Sequence, residues 1–170
     1  MQKKEESLWK IRQILKVLSE ETNFLLSVKM RIGFEDDRFF EPILDILAES
    51  TVGLVSIHAR TVIGGYNSPP SYEHVKKAVR WLPCPVLLNG SVETGDHALS
   101  LREKTGAHGI MIGRSAIRNP WIFRQIGDLQ SGRGIFQPKL ADLFDYFEDL
   151  YASLEKPGIR EESLVGRMKK

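Results

Sequence analysis

Apolar residues first recur at helical spacing, at Leu8, Ile11, Leu15 and Leu18 with Ile14 and Val17 widening the stripe, and predict a helix over residues 7–19. A short apolar run from Phe24 to Ile32, closed by Gly33, has the length of a strand. Residues 38–50 return to the helical period through Phe39, Ile43, Leu47 and Ala48. A strand-like run over Leu54–Ala59 comes next, then a Gly/Pro-rich loop over Gly64–Pro70 and a helix over Ser71–Trp81. Pro83 and Pro85 fence off a third run, Val86–Asn89. A helix over Glu93–Lys104 leads to the last run, Gly109–Ile112, which ends in Gly113.

A helix followed by four strand–helix units predicts an α/β fold, a parallel sheet with its helical crossovers outside. Past Pro138 the pattern is helical only. Leu140, Leu143, Phe144, Phe147, Leu150, Tyr151 and Leu154 make a stripe, while Asp142, Asp145, Glu148 and Asp149 face elsewhere. The Gly-rich piece Ser131–Gly134 has the composition of a linker. The chain therefore divides into an α/β unit over residues 1–130 and the start of a helical unit over 131–170.

Side chains alternate faces along a strand, which sorts the residues that could carry chemistry. Val28, Met30 and Ile32 share one face of the first strand; Ser27, Lys29 and Arg31 share the other. In the second, Val55 and Ile57 oppose Ser56, His58 and Arg60. In the third, Val86 and Leu88 oppose Leu87 and Asn89. If the apolar set faces the helices of a barrel, the polar set points inward, with its last members at the C-terminal mouth. Ligands and catalysis in such barrels gather at that mouth. Cations converging there call for an anionic or electron-rich ligand, because their mutual repulsion would otherwise cost stability.

The last two runs end as Asn89-Gly90-Ser91 and Gly113-Arg114-Ser115. Glycine lets backbone approach a ligand closely, and the N–H groups of such turns can face a phosphate. Phosphate sites in barrels often lie in the loops after strands seven and eight. If these are the last four strands of eight, the ligand has a phosphate at one end and a group needing Lys29 and His58 at the other. A flavin mononucleotide fits.

Bulk properties exclude little. Net charge is +2, so any basic patch must be local. The single cysteine, Cys84, cannot form an intramolecular disulfide or a Cys-rich metal site, so no metal is expected and a reducing cytoplasm is the expected compartment. No apolar run approaches the ~18 residues of a membrane span, and MQKKEESLWK lacks the apolar core of a secretory signal.

Plainer readings stand beside these. Lys29 could pair with an acidic residue outside this chain, and a lone histidine is more often satisfied than functional, though Arg60 on the same face shifts His58 toward a site. Glycine after a strand is common. Cys84, at the entrance of the third strand, reads as a small core residue. Trp121 and Phe123 also read as core, and the acidic face of 142–149 as solvated.

Four stretches taken together resemble the second half of tRNA-dihydrouridine synthases, in order and spacing: VKMRIGF (28–34), IHARTVIGGY (57–66), PVLLNGSV (85–92) and GAHGIMIGRSAIRNPWIF (106–123). The last is the most specific, and the resemblance covers roughly residues 20–170. It implies the last four βα units of a TIM (β/α)8 barrel followed by an incomplete helical tRNA-binding domain. It also implies FMN as cofactor, NADPH as reductant, and reduction of the C5–C6 bond of tRNA uridines. By position, Lys29 and His58 match the isoalloxazine contacts, with Arg60 lining the same pocket. Asn89, Gly90, Gly113 and Arg114 match positions that hold the ribityl phosphate. Arg31 would reach substrate, and Arg167, Lys169 and Lys170 would meet the tRNA backbone, making binding salt-sensitive.

The chain departs from the family in three ways. The family's catalytic cysteine acid belongs to the first barrel half and has no replacement here. Ala59 and Ser91 stand where the family usually has Gly and Asp. The chain also stops within the helical domain. Four strands cannot close a barrel, so the isolated chain is expected to associate with a missing N-terminal half, dimerise with a second copy of itself, or aggregate. Two other classes compete. One is a non-catalytic flavin- or RNA-binding remnant. The other is a different phosphate-binding barrel such as a sugar-phosphate isomerase, against which NPWIF and the helical tail argue.

Overall fold

The computed structural model describes residues 2–21 and 23–155. Its elements follow the predicted order: α1 (Gln2–Glu21), β1 (Leu26–Gly33), α2 (Phe40–Ala48), β2 (Val52–Thr61), α3 (Tyr72–Trp81), β3 (Val86–Asn89), α4 (Gly95–Thr105) and β4 (Gly109–Met111). Three helices follow: α5 (Arg114–Arg118), α6 (Ile122–Gln130) and α7 (Leu140–Leu154). The four strands form one sheet in the order β1-β2-β3-β4, parallel throughout. Among the described residues β1 and β4 are its edges, each with one neighbour.

The two faces of the sheet separate as the alternation predicts. Val55, Ile57, Ala59, Val86 and Leu88 have no exposed surface. They pack beneath Phe40, Leu44 and Leu47 of α2, Val75 and Ala78 of α3, and Ala98 and Leu101 of α4. This layer is the core, and its burial is the main force holding the sheet to its helices. Of the crossover helices, α4 has the clearest ends. Thr94 caps α4 by accepting from the His97 amide at 3.2 Å, and Gly106, at φ +71, closes it by turning left-handed. Exposed pairs lace α2 to α3: His74 Nε2 to Asp37 at 2.8 Å, Lys77 to Glu41, and Trp81 Nε1 to Asp45 at 3.0 Å. Pairs this exposed add little stability and chiefly fix the register of the two helices.

Helices α5 and α6 lie in a stretch the hydrophobic pattern left unassigned. They explain the NPW sequence. Asn119 Nδ2 donates to Gln125 Oε1 at 2.8 Å, and Gln125 Nε2 donates to the Phe136 carbonyl at 3.0 Å. Trp121 meets Phe136 and Tyr146 at ring-centroid distances of 6.2 and 5.9 Å, and Tyr146 Oη donates to the Ile117 carbonyl at 2.8 Å. Trp121 therefore fastens α7 back onto α5 and α6, in keeping with a packing role. Phe123 corrects the core expectation: it is 55% exposed. Helix α7 forms where its stripe predicts, yet none of its residues is buried, and Leu140, Phe144 and Phe147 face outward. No helix among the described residues is long and apolar enough to cross a membrane.

Candidate functional site

Register explains why the polar residues meet. Arg31 of β1 pairs with His58 of β2, His58 with Asn89 of β3, and Asn89 with Met111 of β4. These four therefore form one row across the C-terminal end of the sheet, on the face opposite the helices. Strands β3 and β4 end at this row while β1 and β2 run on to pair at Gly33 and Thr61, and residues at and beyond the ends of β2, β3 and β4 line a pocket of about 300 Å³. His58, Asn89, Gly90, Gly113 and Arg114 all line it. Five of the seven predicted cofactor residues thus share one wall.

The other two stand apart from that wall. Lys29 pairs with Ser56, one row deeper, and Ser56 with Leu87 and then Leu87 with Gly109. The lysine lies on the same face, exposed, toward the β1 edge. Its charge still helps to lower the His58 pKa. Arg60 is only 5% exposed and stands behind the pocket. Its Nε donates to the Ser68 carbonyl at 2.5 Å and its Nη2 to Ser91 Oγ at 2.7 Å. Arg31 donates from Nη1 to the Thr61 carbonyl at 2.8 Å, which turns its guanidinium up toward the rim. Arg167, Lys169 and Lys170 lie outside the described residues.

Several contributors carried no periodic signal. Tyr66, in the Gly-rich loop after β2, has the Arg114 guanidinium 3.6 Å from its ring centroid, Arg31 at 5.7 Å, and the His58 ring at 6.1 Å edge-on. It bridges the loops over the pocket by cation–π contact. Ser91, Ser115 and Arg118 line the pocket too, as does Glu93, the acidic member of the lining set. Residues of this kind sit in loops, and only their neighbours in space reveal them.

The electrostatics are strongly one-sided. Burial first, then the charges of Arg31, Lys29, Arg60 and Arg114, push the His58 pKa down to about 4, so the imidazole is neutral at pH 7. His58 Nδ1 and Arg60 Nη1 are buried without a hydrogen-bond partner among the described residues. Orphaned polar atoms of this kind cost stability, and in a native fold they call for a reason.

Backbone conformation adds a further cost. Gly90 has φ +119 and Ser91 φ +52, and Ser91 is the non-glycine residue with positive φ among the described residues. A Cβ at Gly90 would come within 3.1 Å of His58 Cδ2, so the glycine lets the imidazole lie against the turn. At Gly113 a Cβ would meet nothing within 4 Å. Cations without matching carboxylates, a neutral imidazole and two open glycine turns fit the anionic end of a flavin mononucleotide; Glu93 is the one feature that opposes it.

The family model described as Dihydrouridine synthase (Dus) matches residues 6–167, nearly the whole chain. The chain belongs to the dihydrouridine synthase family. Among its curated relatives, a "Probable tRNA-dihydrouridine synthase" of Rickettsia conorii is 29% identical over 144 residues, covering 84% of this chain and 44% of that protein. One from Helicobacter pylori strain J99 is 38% identical over 116 residues, covering 67% of this chain and 35% of the relative. The "tRNA-dihydrouridine(16) synthase" of Aquipseudomonas alcaligenes is 31% identical over 140 residues, covering 78% and 44%. The chain thus spans less than half the length of these relatives.

The lone cysteine is no substitute for an active-site acid. Cys84 packs against the core at the start of β3, the end of the strand remote from the pocket, and burial raises its thiol pKa. A protonated, apolar-packed thiol is inert.

Proposed function

We propose that this chain is the cofactor-holding half of a tRNA-dihydrouridine synthase, its sheet the last four βα units of an eight-stranded barrel. The supporting observation is the convergence of His58, Asn89, Gly90, Gly113 and Arg114, from three separate loops and strands, on one pocket at the C-terminal strand ends. A flavin mononucleotide held there would supply hydride-transfer chemistry for the C5–C6 bond of a tRNA uridine, with NADPH as the reductant. Arg114 and the Gly90 and Gly113 turns would hold the phosphate. Neutral His58 offers a hydrogen bond to the ring system without adding another charge. Lys29, one row deeper on the same face, would serve the ring system from the β1 side. Arg31 and Tyr66 stand at the rim, where the uracil must arrive after leaving its stack in the tRNA.

Residues 131–155 begin the helical domain in this reading, with the basic positions Arg167, Lys169 and Lys170 beyond it. The proton that completes the reduction comes from an acid outside this chain. The test is direct. The purified chain, incubated with FMN and desalted, should retain a flavin absorbance band. Mixed with a supplied N-terminal half, it should form dihydrouridine on unmodified tRNA. Flavin retention without turnover in that mixture would favour the non-catalytic reading, and loss of the flavin on desalting would overturn the assignment of the pocket.

A further inference from the structure

We infer that Arg60 and Tyr72 are positioning residues: together they hold the Asn89–Gly90–Ser91 turn in its left-handed conformation, ready for the anionic end of the ligand. The ligand side of this inference rests on the reading of the pocket as a flavin phosphate site; the clamp itself does not.

The turn needs holding. Gly90 and Ser91 take positive φ in succession, at +119 and +52, and a serine pays for that geometry where a glycine does not. Two side chains restrain it from outside the β3 loop. Tyr72 Oη donates to the Gly90 carbonyl at 3.0 Å, and Arg60 Nη2 donates to Ser91 Oγ at 2.7 Å. Consecutive residues of the strained turn are thus gripped by different side chains.

Both grips belong to the β2–α3 connection. Arg60 lies near the end of β2 and Tyr72 opens α3. Between them the loop is folded back on itself: Arg60 Nε donates to the Ser68 carbonyl at 2.5 Å, and the Ser71 amide donates to the Ala59 carbonyl at 2.7 Å. Tyr66 rides on the same loop. The conformation of the β2–α3 loop and that of the β3 turn are therefore tied together, and with them the rim and the floor of the pocket.

A filler role does not explain Arg60. It is 5% exposed, its acceptors are a carbonyl and a hydroxyl rather than a carboxylate, and its Nη1 has no partner among the described residues. Burying a guanidinium on such terms costs more than an apolar residue of similar volume. Its geometry accounts for it instead: one planar fork reaches the loop and the turn at once, which a lysine cannot do. Burial raises the Tyr72 pKa, so its hydroxyl remains a donor.

The experiment compares the full chain with Tyr72→Phe, which removes one hydroxyl, and Arg60→Lys, which keeps the charge and loses the fork. Amide hydrogen exchange of the segment covering residues 89–92 is followed without ligand, and FMN affinity by flavin fluorescence. Each variant is expected to speed exchange in that segment and to weaken FMN about fivefold, as for the loss of one hydrogen bond. Exchange in the β1 and α2 segments, which neither side chain touches, should stay as in the parent. If Arg60→Lys unfolds, Tyr72→Phe alone decides. Exchange at 89–92 unchanged in Tyr72→Phe overturns the clamp, even if the parent binds FMN. Faster exchange in a parent-and-variant pair that never binds FMN upholds the clamp and sinks the flavin reading.

Discussion

The two faces of this sheet are built from the same four strands and follow opposite rules. Toward the helices, Val55, Ile57, Ala59, Val86 and Leu88 are wholly buried in apolar company. Toward the pocket, His58 and Arg60 are nearly as well hidden, yet each leaves a polar atom without a partner among the described residues, and the charges that act on His58 share one sign. The first face stabilises the fold. The second spends stability to assemble a site, as functional surfaces do.

Substitutions should separate the two faces. The largest loss of stability is expected on the helix side: Ile57→Ala or Leu88→Ala should cost about 2–5 kcal/mol in denaturant unfolding, as for other large-to-small changes at sealed core positions. Next comes Gly90→Ala, which forces a side chain into φ +119 and against His58. It should lose about 1–3 kcal/mol and weaken FMN binding by at least about tenfold, measured by fluorescence titration. Arg114→Ala should reverse the balance, moving stability by no more than about 0.5 kcal/mol while weakening FMN several-fold and flattening the salt dependence of binding.

A further effect is a pH slope. The unfolded His58 imidazole takes a proton near its ordinary value of 6.5, whereas in the fold it resists until about 4. Between those values the unfolded state binds more protons, so stability falls as pH drops through this window. His58→Gln should remove that contribution, seen as a shallower decline of the unfolding midpoint from pH 6.5 to 4. An unchanged slope would mean that neither burial nor the cations around His58 lower its pKa in the fold.

Alternation made the faces legible, because a strand's period of two is fixed by geometry whatever its neighbours are. The separation of Val55 and Ile57 from His58 and Arg60 needed nothing else. Depth did not follow from the same pattern. Lys29 and His58 share a face, but only the pairing of Lys29 with Ser56 places the lysine one row below the pocket wall. Register arises between strands and is invisible within one. The inward polarity of Arg60 suggested pocket lining; its actual partners, Ser68 and Ser91, come from loops whose paths carry no periodicity. Tyr66 was hidden for the same reason. Phe123 shows the opposite limit: an aromatic residue beside Trp121 looked like core and turns outward, because short helices such as α5 and α6 leave too few residues for a stripe to declare its buried side.

The central claim is that the Gly90, Gly113 and Arg114 end of the pocket grips a phosphate. Titrating the chain with FMN and, in parallel, with riboflavin isolates that group alone. The account predicts that FMN binds at least about tenfold more tightly and that Arg114→Ala abolishes most of the difference. Equal affinities for the two flavins, or a preference untouched by Arg114→Ala, would contradict it.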